Sequence, residues 1–429
     1  MNKNIHLRLF FLLVFLGFIM PCAKAQNASA ENDVSFIKRE NISGVVFSLR
    51  PEREVLLTKF SADKEELLTG TAKYRIGTRY WNMLDYKQET LSLMLDAGVV
   101  GGTGNWIDST MVREIRADHN LIGLRANAAA NYSRRFYYDT KNYTLVEVNA
   151  WGRYDAYQQF SEGEVTDSNG VTTVYDEQSG KDKLRYGFRA KAAWGMGRLN
   201  VVNHYMVAGH LLNKNYPRRN FSDDEILKFS QEIARIKHRR DVKLNRLTEK
   251  EVEQLKDFLK TAMMLKVPED LQGWEFGEFF PRYNGNRLEF GPFFNYYNRE
   301  PDFVYGAFVA FNNAKYIDTK KNRDFGVSLS YNRYKNRDWL QLGTDINWAF
   351  YFDLKSRLTI GAKYIPAITM KDFEDFGPLA NNLIPYAEYF TQLNDKARMN
   401  ISLAWNISDN EQFIQSGPEV SVAFYKSWY

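Results

Sequence analysis

Long stretches of this chain alternate apolar and polar residues one by one, the period of a β-strand whose two faces meet different surroundings. In FGVSLSYNR, Phe325, Val327, Leu329 and Tyr331 fall on one face, and Gly326, Ser328, Ser330 and Asn332 on the other. In WLQLGTDINWAFYF, Leu340, Leu342, Ile346, Trp348, Phe350 and Phe352 oppose Gln341, Gly343, Asp345 and Asn347. The same period separates Tyr186, Phe188, Ala190, Ala192 and Trp194 from Arg185, Arg189 and Lys191. Strands are predicted near 40–50, 66–82, 87–101, 120–137, 142–160, 183–198, 286–298, 303–315, 323–334, 339–353, 357–369, 383–394, 397–407 and 416–429. They number about 14 and run longer than the roughly 5 or 6 residues usual in soluble sheets.

Between 199 and 282 the period changes to about 3.6. Ser222 with Glu225 and Thr248 with Glu251 form S/T-x-x-E capping boxes, in which hydroxyl and carboxylate satisfy helix-start amides reciprocally. Ile226, Phe229, Ile233 and Ile236 follow the first box; Val252, Leu255, Phe258 and Leu259 follow the second. Each set is one apolar stripe, so two or three packed helices are predicted as an insertion between strands.

Composition sharpens the choice between sheet architectures. Mean hydropathy is −0.48, yet aromatics make up 15% of the chain, with Tyr 26, Phe 30 and Trp 9. After Met20 no apolar run reaches the roughly 18 residues of a membrane helix. A soluble β-sandwich would also alternate, but here aromatics gather at strand ends and the face opposite the apolar one is rich in charge. That combination predicts a barrel with lipid outside.

The N-terminus predicts export. Lys3 and Arg8 precede an apolar run from Leu9 to Met20, followed by Pro21 and Ala23-Lys24-Ala25, the layout of a cleaved signal peptide over 1–25. The only cysteine, Cys22, lies within it, so no disulfide or thiol chemistry is expected in the mature chain. The formal charge of +5 loses Lys3, Arg8 and Lys24 and becomes +2, which gives no reason to expect nucleic acid as a partner.

On these residues the chain resembles a Gram-negative outer-membrane β-barrel protein, and its Asn-, Lys- and Tyr-rich style is similar to Bacteroidota envelope proteins. The resemblance covers most of 40–429, with 26–39 a preceding segment. It implies a final strand that carries an assembly signal of alternating outward apolar residues. Val420, Val422, Phe424 and Trp428 supply that set, interrupted by Lys426 and followed by Tyr429. With the C-terminus in the periplasm, strand parity places the turns DLKSR, DTKN and LNDKA there, together with the helical insertion. The polar stretch SEGEVTDSNGVTTVYDEQSGKDK becomes an external loop. The insertion is open to three readings: a self-packed cap, a docking unit for a periplasmic protein or peptidoglycan, or a lumen plug. Its basic run offers Arg235, Lys237, Arg239 and Arg240 for docking.

Assigning the polar phase to the interior lines the lumen with Arg75, Arg79, Arg125, Arg185, Arg189 and Lys191, joined by Lys73, Arg153, Lys363 and Arg398. Asp96, Glu147, Asp155, Glu289 and Asp345 face them. Such a wall either favours anions in a passive pore or pairs with itself as structural filling. Enzymatic chemistry is not expected. His119 is predicted in a loop with Ser109, without a G-x-S-x-G signature, and His204 and His210 lack the i, i+4 spacing of a metal pair. No catalytic, cofactor or metal residue is assigned. The expectation is an integral outer-membrane pore for small solutes, or else an accessory subunit of an envelope machine.

Overall fold

The computed structural model describes residues 36–51, 64–109, 113–238, 248–268, 271, 273–274, 281–298, 302–335, 337–371, 375–394, 396–409 and 416–428. The predicted signal peptide, Arg239 and Arg240 fall outside them.

The first ten strands form a continuous antiparallel meander: β1 (Phe36–Pro51), β2 (Lys64–Met83), β3 (Lys87–Ser109), β4 (Arg113–Tyr137), β5 (Asn142–Asp167), β6 (Thr172–Val201), β7 (Tyr283–Tyr297), β8 (Phe303–Asp318), β9 (Lys321–Tyr334) and β10 (Arg337–Tyr351). The eleventh position is shared by β11 (Ser356–Tyr364) and β12 (Ala367–Lys371), which both pair with β10. Pro366 separates them; it has no N–H to offer, and its carbonyl accepts from Leu342 at 3.0 Å. The twelfth position is likewise shared by β13 (Asp375–Ala380) and β14 (Asn382–Gln392), which pair with β12 and β11. After β15 (Ala397–Ser408), β16 (Gly417–Trp428) pairs with β1 from Asn41↔Trp428 to Leu49↔Val420. This contact closes an antiparallel barrel of 14 strands, with no sheet edge left along the closed belt.

Every predicted strand is present, and the two-residue period marks the outer face as read. Ile76, Leu93, Leu95, Leu124, Val309, Leu329, Ile360 and Leu403 are exposed there. Exposed aromatics are part of this surface: Tyr186 and Trp194 stand eight positions apart on β6, about 26 Å of strand, which at a tilt of about 40° rises about 20 Å, most of a hydrocarbon band about 25 Å tall. Lys426 shares this outward, exposed face with Phe424 and Trp428, close to the end of its strand.

Two boundaries differ from the sequence reading. Residues 36–39 are not a separate segment, because they pair with β2 from Phe36↔Met83 onward. The polar stretch after Phe160 is not a loop. It continues the β5–β6 ladder to Thr166↔Thr172, because Val165, Thr172, Thr173, Val174 and Tyr175 suit a strand and the turn is confined to Asp167–Gly170. Asp167 closes that turn by accepting from the amides of Asn169 and Val171, and Gly170 adopts a positive φ of 80°.

Between β6 and β7 lie three helices, α1 (Asn203–Asn215), α2 (Asp223–His238) and α3 (Thr248–Thr261). The two predicted stripes meet in one core, with Phe229, Ile233 and Ile236 from α2 and Leu255 and Leu259 from α3, and α1 adds Val207, Leu211 and Leu212, which the sequence reading had not singled out. The first capping box is present, with the Glu225 amide donating to Ser222 Oγ at 3.3 Å and the Ser222 amide donating to Glu225 Oε2 at 2.9 Å. That second bond holds the Glu225 carboxyl below its ordinary pKa. A depressed carboxylate stabilises above its unfolded pKa, and the effect is lost as pH falls through the folded one. Ser222→Ala is expected to cost about 1 kcal/mol of local helix stability, read as faster amide exchange in the first turn of α2.

Candidate functional site: the inner wall and the covered mouth

The inner wall is an ionic ladder built by strand register. Arg75, Asp96, Asn127, Arg153 and Arg185 are successive neighbours across β2 to β6. Asp96 accepts from Arg75 at 2.8 Å and from Asn127 at 2.5 Å, and lies 3.7 Å from Lys73. One step along the strands, Asp155 accepts from Arg125 at 2.6 Å and Arg153 at 2.7 Å, with Arg185 at 3.7 Å. Arg125 and Asp155 are 1% and 0% exposed. Lys191 pairs with Glu147 at 3.0 Å, while the Arg189 guanidinium lies 5.3 Å from the centre of the Phe293 ring. Arg79 stands opposite Glu40 in register, and Glu40 itself accepts from Arg398 at 2.6 Å and Ser427 at 2.8 Å, tying β1 to β15 and β16 at the closing seam.

This wall is not polar throughout, as the sequence pattern had suggested. Tyr137, Tyr143, Leu145, Phe293 and Phe308 form a buried inner cluster, and Leu67, Leu121 and Tyr157 form another. Period two reports that the outer face is apolar; it carries no information about whether the inner face is wet. Near the first cluster, Glu289 accepts from Arg135 at 2.8 Å and from the Tyr143 hydroxyl at 3.0 Å, with Arg287 at 3.1 Å.

One mouth, at the end that carries both the start of β1 and the end of β16, is crossed by α1. Its residues Asn203, His204, Met206, Val207, Ala208, Gly209, Leu211 and Leu212 are buried, nearly all the way round the helix. His204 lies against Phe36 of β1, with ring centroids 5.7 Å apart, and Tyr205 against Tyr316 of β8 at 6.1 Å. A side-chain carbon at Gly209 would sit 3.8 Å from Thr319, between β8 and β9. Leu354, between β10 and β11, joins the helical core. The helix therefore touches the rim at places far apart around the ring.

Arg282 is the rivet of this arrangement. It is buried just before β7, and its guanidinium donates to the carbonyls of Asp318 at 2.7 Å, Lys321 at 2.9 Å and Thr319 at 3.1 Å. Its amide donates to Asn203 Oδ1 at 2.6 Å, and the guanidinium covers the Tyr351 ring at 3.8 Å. Sequence reasoning passed over Arg282, because three carbonyl acceptors from one turn leave no motif.

The docking candidates change character. Lys237 is 6% exposed and donates to the Trp274 carbonyl at 2.9 Å, so its ammonium serves the helical core instead of an external partner. Arg235 is exposed and donates to Glu232 at 2.6 Å, one turn back. His119 is not in a loop but inside β4. Its Nδ1 is 2.6 Å from Ser161 Oγ and 3.2 Å from Gln159 Nε2, while Ser109 pairs five positions away, at Glu114. His119 and Ser161 are 3% and 2% exposed, so the pair bridges β4 and β5 without presenting a nucleophile to solvent.

No protein-family model and no curated protein matches the chain. Among solved structures, the translocator domain of the autotransporter NalP from Neisseria meningitidis is 8% identical, with 94% of this chain and 90% of that one covered at a TM-score of 0.32. The β domain of the Bordetella autotransporter BrkA gives 8%, 91%, 100% and 0.33 in the same order. A loop-deleted OmpT, an outer membrane protein of Vibrio cholerae, gives 6%, 92%, 100% and 0.30. None of these likenesses assigns a role to this chain.

Proposed function

We propose that this chain is an integral outer-membrane barrel that passes small anionic solutes and is held shut at its periplasmic mouth by the helical unit. The observation that carries the reading is α1 lying across the mouth in contact with β1 and β8, with Leu354 from between β10 and β11 packed on the helical core. The surplus of cations on the inner wall supports the anion preference: Asp96 faces both Lys73 and Arg75, Asp155 faces Arg125, Arg153 and Arg185, and Arg189 lies over the Phe293 ring, and fixed charge in a narrow lumen sets selectivity. Outer-membrane lipid is then the partner of the apolar belt.

The test is conductance in a planar bilayer under a salt gradient, for the intact protein and a version with 203–281 replaced by a short turn. The intact barrel is expected to stay mostly closed and the shortened one to conduct steadily with an anion-directed reversal potential. Silence in both would overturn the pore, and a cation-directed potential would overturn the selectivity. A protein that co-purifies only when 203–281 is present would favour an accessory role for the helical unit.

A further inference from the structure

The wall of the barrel is uneven. The β6–β7 ladder ends at Gly187↔Tyr297, whereas the β5–β6 ladder continues to Thr166↔Thr172, so β6 runs on beyond its neighbour. Asn298 marks the place where pairing stops. Its amide donates to the Tyr186 carbonyl at 3.0 Å, its Oδ1 accepts from the Tyr186 amide at 2.8 Å, and its Nδ2 donates to the Leu184 carbonyl at 2.9 Å. These three bonds also fix which backbone groups face outward. The even-numbered residues of β6 point away from β5, so Val174, Asp176, Gln178, Gly180 and Asp182 offer their amides and carbonyls to the free side. No described strand takes them.

An edge of this length is a template for another strand, since main-chain bonds supply affinity and alternate side chains supply choice. The outward side chains say what that strand carries. Val174 is 86% exposed, Asp176 and Asp182 are exposed, and nothing lies within 4 Å of a side-chain carbon placed at Gly180. Asp176 also ends a row in which Asp118 stands opposite Glu162 and Glu162 opposite Asp176, like charges side by side across three strands. A second copy is a poor occupant, because antiparallel pairing of two β6 edges centred between Gln178 and Gly180 sets Asp176 against Asp182.

We propose that the free edge of β6 binds an extended, cationic segment of another protein by strand addition, with Lys or Arg opposite Asp176 and Asp182 and an apolar residue opposite Val174. The site lies at the end of the barrel opposite the helical unit and does not depend on whether the lumen conducts.

The experiment uses the full-length barrel in detergent and a fluorescent extended peptide of roughly a dozen residues with that pattern, read by anisotropy. The decisive variant is Gln178→Pro, which removes an outward amide while leaving the bonds to β5 in place. Saturable binding that weakens about tenfold in Gln178→Pro and in the double variant Asp176→Lys, Asp182→Lys is the expected result. Heat-modifiable gel mobility of each variant checks that the barrel is folded. Binding unchanged by Gln178→Pro would show attraction by charge alone and overturn strand addition. Absence of saturable binding would also overturn the proposal, as would self-association of the barrel through this hairpin.

Discussion

Asp155→Asn is expected to lower the unfolding free energy of the barrel by about 3–5 kcal/mol, the cost of removing one partner from a buried ion pair. Asp155 is the shared acceptor of Arg125 and Arg153, with Arg185 beside it, and it is fully buried. The amide keeps the shape but not the charge, so the guanidiniums remain in a site with too few acceptors. Urea-dependent unfolding in lipid vesicles measures the difference. Asp96→Asn is the internal comparison: its partner Arg75 keeps 27% of its side chain exposed, so water screens part of the loss and the effect is smaller. Equal losses at the two positions would mean that the ladder around Asp155 is not the special feature that its burial indicates.

Arg282→Met is expected to free the helical unit from the rim while the barrel stays intact. Methionine keeps an unbranched apolar stem but is shorter and donates nothing, which leaves the carbonyls of Asp318, Thr319 and Lys321 without this partner at a buried joint. Each unsatisfied buried group costs about 1–3 kcal/mol, enough in sum to shift a docked unit toward release. Limited proteolysis should then cut within 203–281 about tenfold faster, with the folded barrel still heat-modifiable on a gel. Arg282→Lys should be intermediate, since one ammonium cannot span three carbonyls as a planar guanidinium does. Unchanged proteolysis in Arg282→Met would locate the hold of the unit elsewhere, for instance in the contact of Leu354 with the helical core.

The strands were legible in the sequence because lipid on one side enforces a strict rule: every second residue in contact with it must be apolar, whatever lies opposite. Phe325, Val327, Leu329 and Tyr331 obey that rule on β9, and Leu184, Tyr186, Phe188, Trp194 and Met196 obey it on β6. Helices α2 and α3 were legible for a similar local reason, since a capping box and one apolar stripe are written within a single turn or two, whereas α1 has no side-chain cap and is buried nearly all round. The interior obeys no such local rule. Asp155 meets Arg125 through a register fixed by two whole ladders, and Phe293 joins Tyr143 across three strands, so neither meeting has a spacing that a linear pattern could show.

By itself, then, the sequence determined the number of strands, the outer face of each and the existence of a helical unit, because those follow from contact with lipid or with the next turn of helix. Tertiary structure alone decided the pairing of the inner charges, the burial of Lys237 and His119, the hold of Arg282 on the rim and the free edge of β6. Each of these depends on which distant segments the closing of the barrel brings side by side, and where a ladder runs out of partners.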